Sequence, residues 1–189
     1  TTLFRSGVAV AARAHIGLGS EDGGGPELDE PRFMLRKVGG IVKGGLHAGT
    51  PYLNDTIGIG HPKNLRLLQR IAARLAVLDG PWVLGGDWQG TPEQLQATGW
   101  LSVVNGVVAR PDSHTCNGTT MDFFVLCRSL AHSAYSTMLI GDSGWNTGAS
   151  AQHCPVRLLI RGGAARALVR QLKVQKGFAA RLPFGPANL

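Results

Sequence analysis

The sequence predicts a mixed α/β (α+β) domain, on three observations. Short apolar runs broken by glycines recur from Gly7 to Gly162, and one strongly amphipathic helix lies among them. The 189 residues, 43% hydrophobic and 16% charged, suffice for one core and fall short of two. The 27 glycines follow no triplet period, which excludes a collagen-like fibre, and the low charge excludes global disorder.

The elements follow in chain order. GVAVAAR, Gly7 to Arg13, carries β-branched residues at alternate positions and reads as a strand. Gly17 to Pro31 clusters glycines, acids and prolines and reads as an exposed loop. RFMLRKVGGIVKGGLHAGTPYL then supplies two or three short strands separated by Gly39-Gly40 and Gly44-Gly45, a glycine density no helix tolerates. KNLRLLQRIAARLAVLDG is the clearest helix: Leu68, Ile71, Ala72, Leu75 and Leu78 share a face, Asn64 is placed to cap the start, and Gly80-Pro81 ends it. Arg66, Arg70 and Arg74 recur every fourth residue and make a basic stripe that could hold phosphates or a partner and reads first as a solvated helix face. PWVLGGD is a nearly all-apolar strand, the pattern of a strand covered on both faces. TPEQLQATG follows as a short helix with Thr91 as cap and Pro92 at its first position. TTMDFFVLCRSL, Thr119 to Leu130, reads as a second buried strand interrupted by Asp122, and AYSTMLIG and PVRLLIRG complete the set. Residues 1–162 read as the globular domain. Residues 163–189 read as a basic extension, with Arg166, Arg170, Lys173, Lys176 and Arg181 and no acid, suited to contacting a partner.

Nineteen Lys and Arg against twelve Asp and Glu give a net charge of +7, which favours polyanions, acidic protein surfaces or anionic membranes. No apolar run approaches the ~18 residues that span a bilayer. Cys116, Cys127 and Cys154 are odd in number and widely spaced, so they form neither a disulfide framework nor a CxxC zinc site and read as buried thiols. The first residue is Thr1 rather than Met; a processed or trimmed basic chain suits an imported organellar protein.

Three strand ends carry candidate chemistry. Asp87 ends the apolar strand of GGDWQ, a position where open sheets keep functional groups. Asp122 needs a partner, because an unpaired carboxylate in an apolar run costs several kcal/mol to bury. It can orient an imidazole, bind a metal or accept backbone amides in a tight turn. His153, just before the strand marked by Pro155, can act as a general base or stabilise charge on a phosphate. Cys154 is adjacent, but successive strand residues point to opposite faces, so His153 and Cys154 make a poor base and nucleophile.

GGDWQ at 85–89, MDFFV at 121–125 and AQHCPV at 151–156, in that order and spacing, resemble the endonuclease/exonuclease/phosphatase superfamily, the DNase I-like and AP-endonuclease-like fold. TPYLNDTIG, Thr50 to Gly58, resembles its strand ending in Tyr and Asn. The resemblance covers roughly residues 7–162. It implies a four-layer sandwich of two mainly antiparallel sheets with helices outside, and phosphoester cleavage with Mg²⁺. By motif match, Asp87 would align or deprotonate the attacking water. His153 would stabilise phosphate charge with Asp122 orienting it, and Tyr52 and Asn54 would contact the phosphate. Gln89 stands where the family has a substrate-binding Asn, one methylene shorter, and Gln152 where it has an Asp. An Asn strand and a metal-binding Glu precede the GVAVAAR-like strand in relatives. Here TTLFRS precedes it, so the N-terminal strands are expected to be missing, and Glu21, Glu27 and Glu30 do not match that motif.

These departures lead to the expectation of a catalytically degenerate domain that binds no metal and serves a structural or partner-binding role in a larger assembly. Its contacts would be the basic extension and an uncovered sheet edge. The alternative is a Mg²⁺-dependent phosphodiesterase or nuclease, for which +7 suits a nucleic-acid substrate. A third reading, nucleic-acid binding without catalysis, lacks a stacking platform, since Trp82, Trp88, Trp100 and Trp145 are not interleaved with Lys and Arg.

Overall fold

A computed structural model of the chain describes residues 2–5, 8–13, 15–19, 32–39, 44–138 and 153–161. The basic extension, Gln152, Trp145 and the acids Glu21, Glu27 and Glu30 lie outside the described residues. The centre is a six-stranded sheet built from β3 (Leu18–Gly19), β4 (Phe33–Val38), β5 (Leu46–Pro51), β6 (Trp82–Asp87), β7 (Gly106–Ala109) and β8 (Asp122–Cys127), in the order β3-β4-β5-β6-β8-β7. All its pairs are antiparallel except β5 with β6, which are parallel because α1 (Pro62–Ala76) crosses between them. Two hairpins stand apart from it. β1 (Thr2–Arg5) pairs with β2 (Val8–Ala11), and β9 (Ala134–Met138) pairs with β10 (Val156–Ile160).

The period-two alternation of β6 and β8 divides the core. Trp82, Leu84, Phe123 and Val125 face α1, α2 (Pro92–Ala97) and α3 (Trp100–Val103), where Leu67, Leu68, Ile71, Leu75, Leu95 and Trp100 are buried. Val83 and Leu126 face the hairpins and pack with Leu158 and Ile160. Asp87 continues the row of Val83 and Gly85, and Asp122 starts the row of Phe124 and Leu126. Both carboxylates therefore belong to the hairpin side, at one end of the sheet.

Several expectations change. His61, not Asn64, caps α1, its ring Nδ1 accepting from the Lys63 amide at 3.2 Å. Asn64 is fully buried. Arg74 leaves the solvated stripe because its position falls on the core side of the helix, where it is 5% exposed, while Arg66 and Arg70 are exposed. Leu18-Gly19, expected in a loop, pairs with Val38 and Lys37 as an edge strand, and the TTLFR segment pairs with β2. Asp122 opens β8 rather than interrupting it. The Thr115 hydroxyl accepts from the Met121 and Asp122 amides, both at 3.0 Å, and so ends the pairing there. Of the cysteines only Cys116 is buried, Cys127 and Cys154 being half-buried, and all three are free thiols.

Candidate active site

The two strand ends are brought together by register. Asp87 and Asp122 are Cα partners in the β6–β8 ladder, and Tyr52 bridges Asp87 from the other side. Gly85 and Gly86 are required by this close approach. A Cβ on Gly86 would lie 2.3 Å from the Pro51 carbonyl oxygen, and one on Gly85 would lie 2.4 Å from the Phe124 ring. Below the site Trp88 is fully buried, stacks on Phe123 with centroids 5.3 Å apart, and donates its indole N–H to the Phe123 carbonyl at 3.0 Å.

Asp122 takes the first of the three roles open to it. Its Oδ2 lies 2.8 Å from Nδ1 of His153, which is carried in by a bridge between Cys116 and His153 and by the Cys154 amide bonding to the Thr115 carbonyl at 2.7 Å. This fixes the imidazole with Nδ1–H toward the carboxylate and leaves Nε2 as acceptor. Next to Nε2 stands the thiol of Cys116, which the sequence marks only as a buried thiol, 3.4 Å away and suited to donate S–H. Its signal was the Asn117-Gly118 pair, the strongest short hairpin cue, whose φ values of 42° and 77° turn Cys116 back onto Thr119. Burial, then the charges of Asp122 and Asp87, raise the Cys116 pKa above that of an ordinary thiol, so the sulfur stays protonated.

Gln89 closes on Asp87. Its amide N–H donates to Oδ1 at 2.9 Å and its side-chain amide donates to Oδ2, so one residue satisfies both oxygens. The turn that permits this places Gln89 at φ 51°, a left-handed conformation that asparagine adopts more readily than glutamine. Burial raises the Asp87 pKa; the Gln89 amide opposes this, the Asp122 charge reinforces it and His153 opposes it.

Tyr52 and Asn54 are held beside this end of the sheet. The Tyr52 ring lies under the Arg32 guanidinium, 5.2 Å from the centroid. Asn54 is clamped by Asn64, whose side-chain oxygen accepts from the Asn54 amide and side-chain N–H at 2.8 and 2.9 Å and whose N–H donates to the Asn54 carbonyl at 3.0 Å.

Mg²⁺ is a hard octahedral ion held by carboxylate and water oxygens, and among the described residues this sheet end offers it the carboxylates of Asp87 and Asp122. Among the described residues no three of His, Cys, Asp and Glu stand together as a metal site. Of the four oxygens of Asp87 and Asp122, three are already engaged by Gln89 and His153.

No model of a known protein family matches the sequence. The isoleucine–tRNA ligase of Ectopseudomonas mendocina (strain ymp) is 47% identical over 62 residues, which is 31% of this chain and 6% of the ligase, too small a share of either to assign a family. Solved structures decide the architecture. An AP endonuclease from Archaeoglobus fulgidus superposes with a TM-score of 0.54 at 16% identity, covering 77% of this chain and 69% of that one. The 3'-5' exonuclease NExo from Neisseria meningitidis gives 0.52 at 14% identity, covering 77% and 70%. This is the DNase I-like endonuclease/exonuclease/phosphatase fold. The cytolethal distending toxin from Actinobacillus actinomycetemcomitans shares it, with a TM-score of 0.51 at 16% identity, and the present chain spans 57% of that chain. Within the DNase I-like fold Asp87, Asp122 and His153 come together at one sheet end, with Tyr52 bridging Asp87. Trp82, Trp88 and Trp100 are buried, so among the described residues no tryptophan forms a stacking surface for bases. No helix among the described residues is long and apolar enough to cross a membrane.

Proposed function

We propose that this chain is a catalytically degenerate DNase I-like domain that binds a partner as part of a larger assembly. The observation that carries the reading is the closure of Gln89 over both oxygens of Asp87. A carboxylate aligns water or meets a cation with acceptor capacity that is not already used, and here the side chain, one methylene longer than asparagine, takes up part of that capacity on the second oxygen as well. The Cys116 thiol supports the same reading, since it occupies the imidazole nitrogen that would face a phosphate. Partner contact would use the net charge of +7, the basic residues 163–189 and the edge of β2 that no strand among the described residues pairs, suited to an acidic protein surface.

A second reading, Mg²⁺-dependent phosphodiester hydrolysis of nucleic acid, is favoured by one observation: the Asp122–His153 pair keeps the geometry of an oriented imidazole. It requires a metal ligand from outside the described residues.

Turnover of bis(p-nitrophenyl) phosphate and of a nicked DNA duplex, with and without Mg²⁺, separates the two. The degenerate domain gives rates equal to those of its His153→Ala variant. Metal-dependent turnover that disappears in both Asp87→Ala and His153→Ala would establish the hydrolase.

A further inference from the structure

Asp122, His153 and Cys116 form a row in which each side chain is held by the next. Oδ2 of Asp122 stands 2.8 Å from Nδ1 of His153, and Nε2 of the same ring stands 3.4 Å from the Cys116 sulfur. The ring keeps its proton on Nδ1 and turns the Nε2 lone pair toward the sulfur. One buried residue anchors the backbone beneath the row. Thr115, 1% exposed, accepts the Cys154 amide on its carbonyl at 2.7 Å and the Met121 and Asp122 amides on its hydroxyl at 3.0 Å. Cys116 and His153 are themselves partners in an antiparallel bridge. The imidazole is 43% exposed, which leaves an approach from solvent.

A carboxylate behind an imidazole and a thiolate-forming side chain in front of it make the donor pattern of a soft-metal site. The separation fits one ion. A Zn–S bond of ~2.3 Å and a Zn–N bond of ~2.0–2.1 Å, meeting at a tetrahedral angle of ~109°, place the two ligand atoms ~3.5 Å apart. The observed separation is 3.4 Å. Charge points the same way. The carboxylates of Asp122 and Asp87 both act on the Cys116 sulfur, and negative charge there favours exchange of the thiol proton for a dication.

We propose that Cys116 Sγ and His153 Nε2 bind a thiophilic divalent cation, with zinc as the type, and that Asp122 supports the imidazole from behind. On binding, the S–H bond breaks, its electron pair forms the sulfur–metal bond, and the proton leaves to solvent. Among the described residues no third His, Cys, Asp or Glu is placed to complete a site, so water fills the remaining positions and the affinity falls below that of a four-ligand structural zinc. Thiolate and imidazole select zinc, whereas magnesium prefers carboxylate and water, so this ion differs from one held by Asp87. It would tie the Asn117-Gly118 hairpin to the His153 segment and cover Nε2. The assignment goes beyond the reading of Asp87 and stands whichever way that reading falls.

Cobalt titration of the full chain tests it, because Co²⁺ replaces zinc in tetrahedral sulfur sites and gives a sulfur-to-metal charge-transfer band in the near ultraviolet. The expected result is a saturable band at one cobalt per chain, displaced by zinc and untouched by magnesium. Cys116→Ser and His153→Ala should each abolish it. Asp122→Asn, which leaves both ligands in place, should weaken cobalt binding by about tenfold or more. Cys127→Ser, at the other end of β8, should leave it unchanged. Should the variants fail to fold, zinc protection of the wild-type thiols decides: zinc should slow iodoacetamide labelling of Cys116 and leave Cys127 unaffected. A missing sulfur band at saturating cobalt, a band that survives Cys116→Ser, or equal protection of both thiols would overturn the proposal. A band abolished by magnesium would also overturn it, placing the ion at the carboxylates. Magnesium-dependent turnover alongside an intact cobalt band would overturn the degenerate reading alone.

Discussion

Asn64→Ala should be among the most damaging single substitutions in the domain. Asn64 is fully buried and its side chain makes four hydrogen bonds, accepting from the Asn54 amide at 2.8 Å and side-chain N–H at 2.9 Å, and donating to the Asn54 and Gly58 carbonyls at 3.0 and 2.9 Å. At about 1 kcal/mol net for each bond, truncation removes about 4 kcal/mol, partly offset by whatever water reaches the freed groups. About 3 kcal/mol is therefore expected. For a domain of this size that corresponds to a fall in Tm of about 6–12 °C. Urea unfolding followed by tryptophan fluorescence measures it directly, because Trp88 and Trp100 pack against each other in the core on the α1 side, with centroids 5.9 Å apart. A loss below about 1 kcal/mol for Asn64→Ala would refute the clamp and the placement of Asn54 that depends on it.

Gly86→Ala should cost about 3 kcal/mol or more, because the new methyl meets a backbone oxygen that cannot swing away, whereas a methyl at Gly85 meets a ring that can shift. The stability of the wild type relative to Asp87→Asn should fall as pH rises from about 3 to 7. The folded-state pKa of Asp87 is raised, so its favourable contribution is present below the unfolded value and is lost as pH rises through the folded one. Parallel melts at the two pH values check the sign. Cys116 should react with iodoacetamide more slowly than Cys127 or Cys154 at pH 7.5, read by mass spectrometry of labelled peptides, since it is the buried thiol with a raised pKa.

The order of strands and helices around the site was legible because each element announces itself locally. PWVLGGD is apolar to its last residue, α1 carries a single apolar face, and Thr91-Pro92 begins α2 with the cap and first residue expected. The three charged strand ends were legible for the same reason. What the sequence withheld was decided by contacts between distant residues. Asn64 looked like a cap, but the chain enters the helix earlier, at His61-Pro62, which turns Asn64 inward to hold Asn54. β7, only four residues long, escaped notice because Gly106–Ala109 gains its meaning from pairing with β8. Cys116 reached His153 through a turn at Asn117-Gly118 whose target lies 37 residues away. The closure of Gln89 on Asp87 could be suspected from the extra methylene, but its direction depends on a left-handed backbone at φ 51°.

Titration of the full chain with Mg²⁺ by isothermal calorimetry tests the central claim most directly. With Asp87 closed by Gln89 and Asp122 committed to His153, binding should be weaker than about 1 mM and unchanged in Asp87→Ala. A saturable site well below 1 mM that vanishes in Asp87→Ala would contradict it.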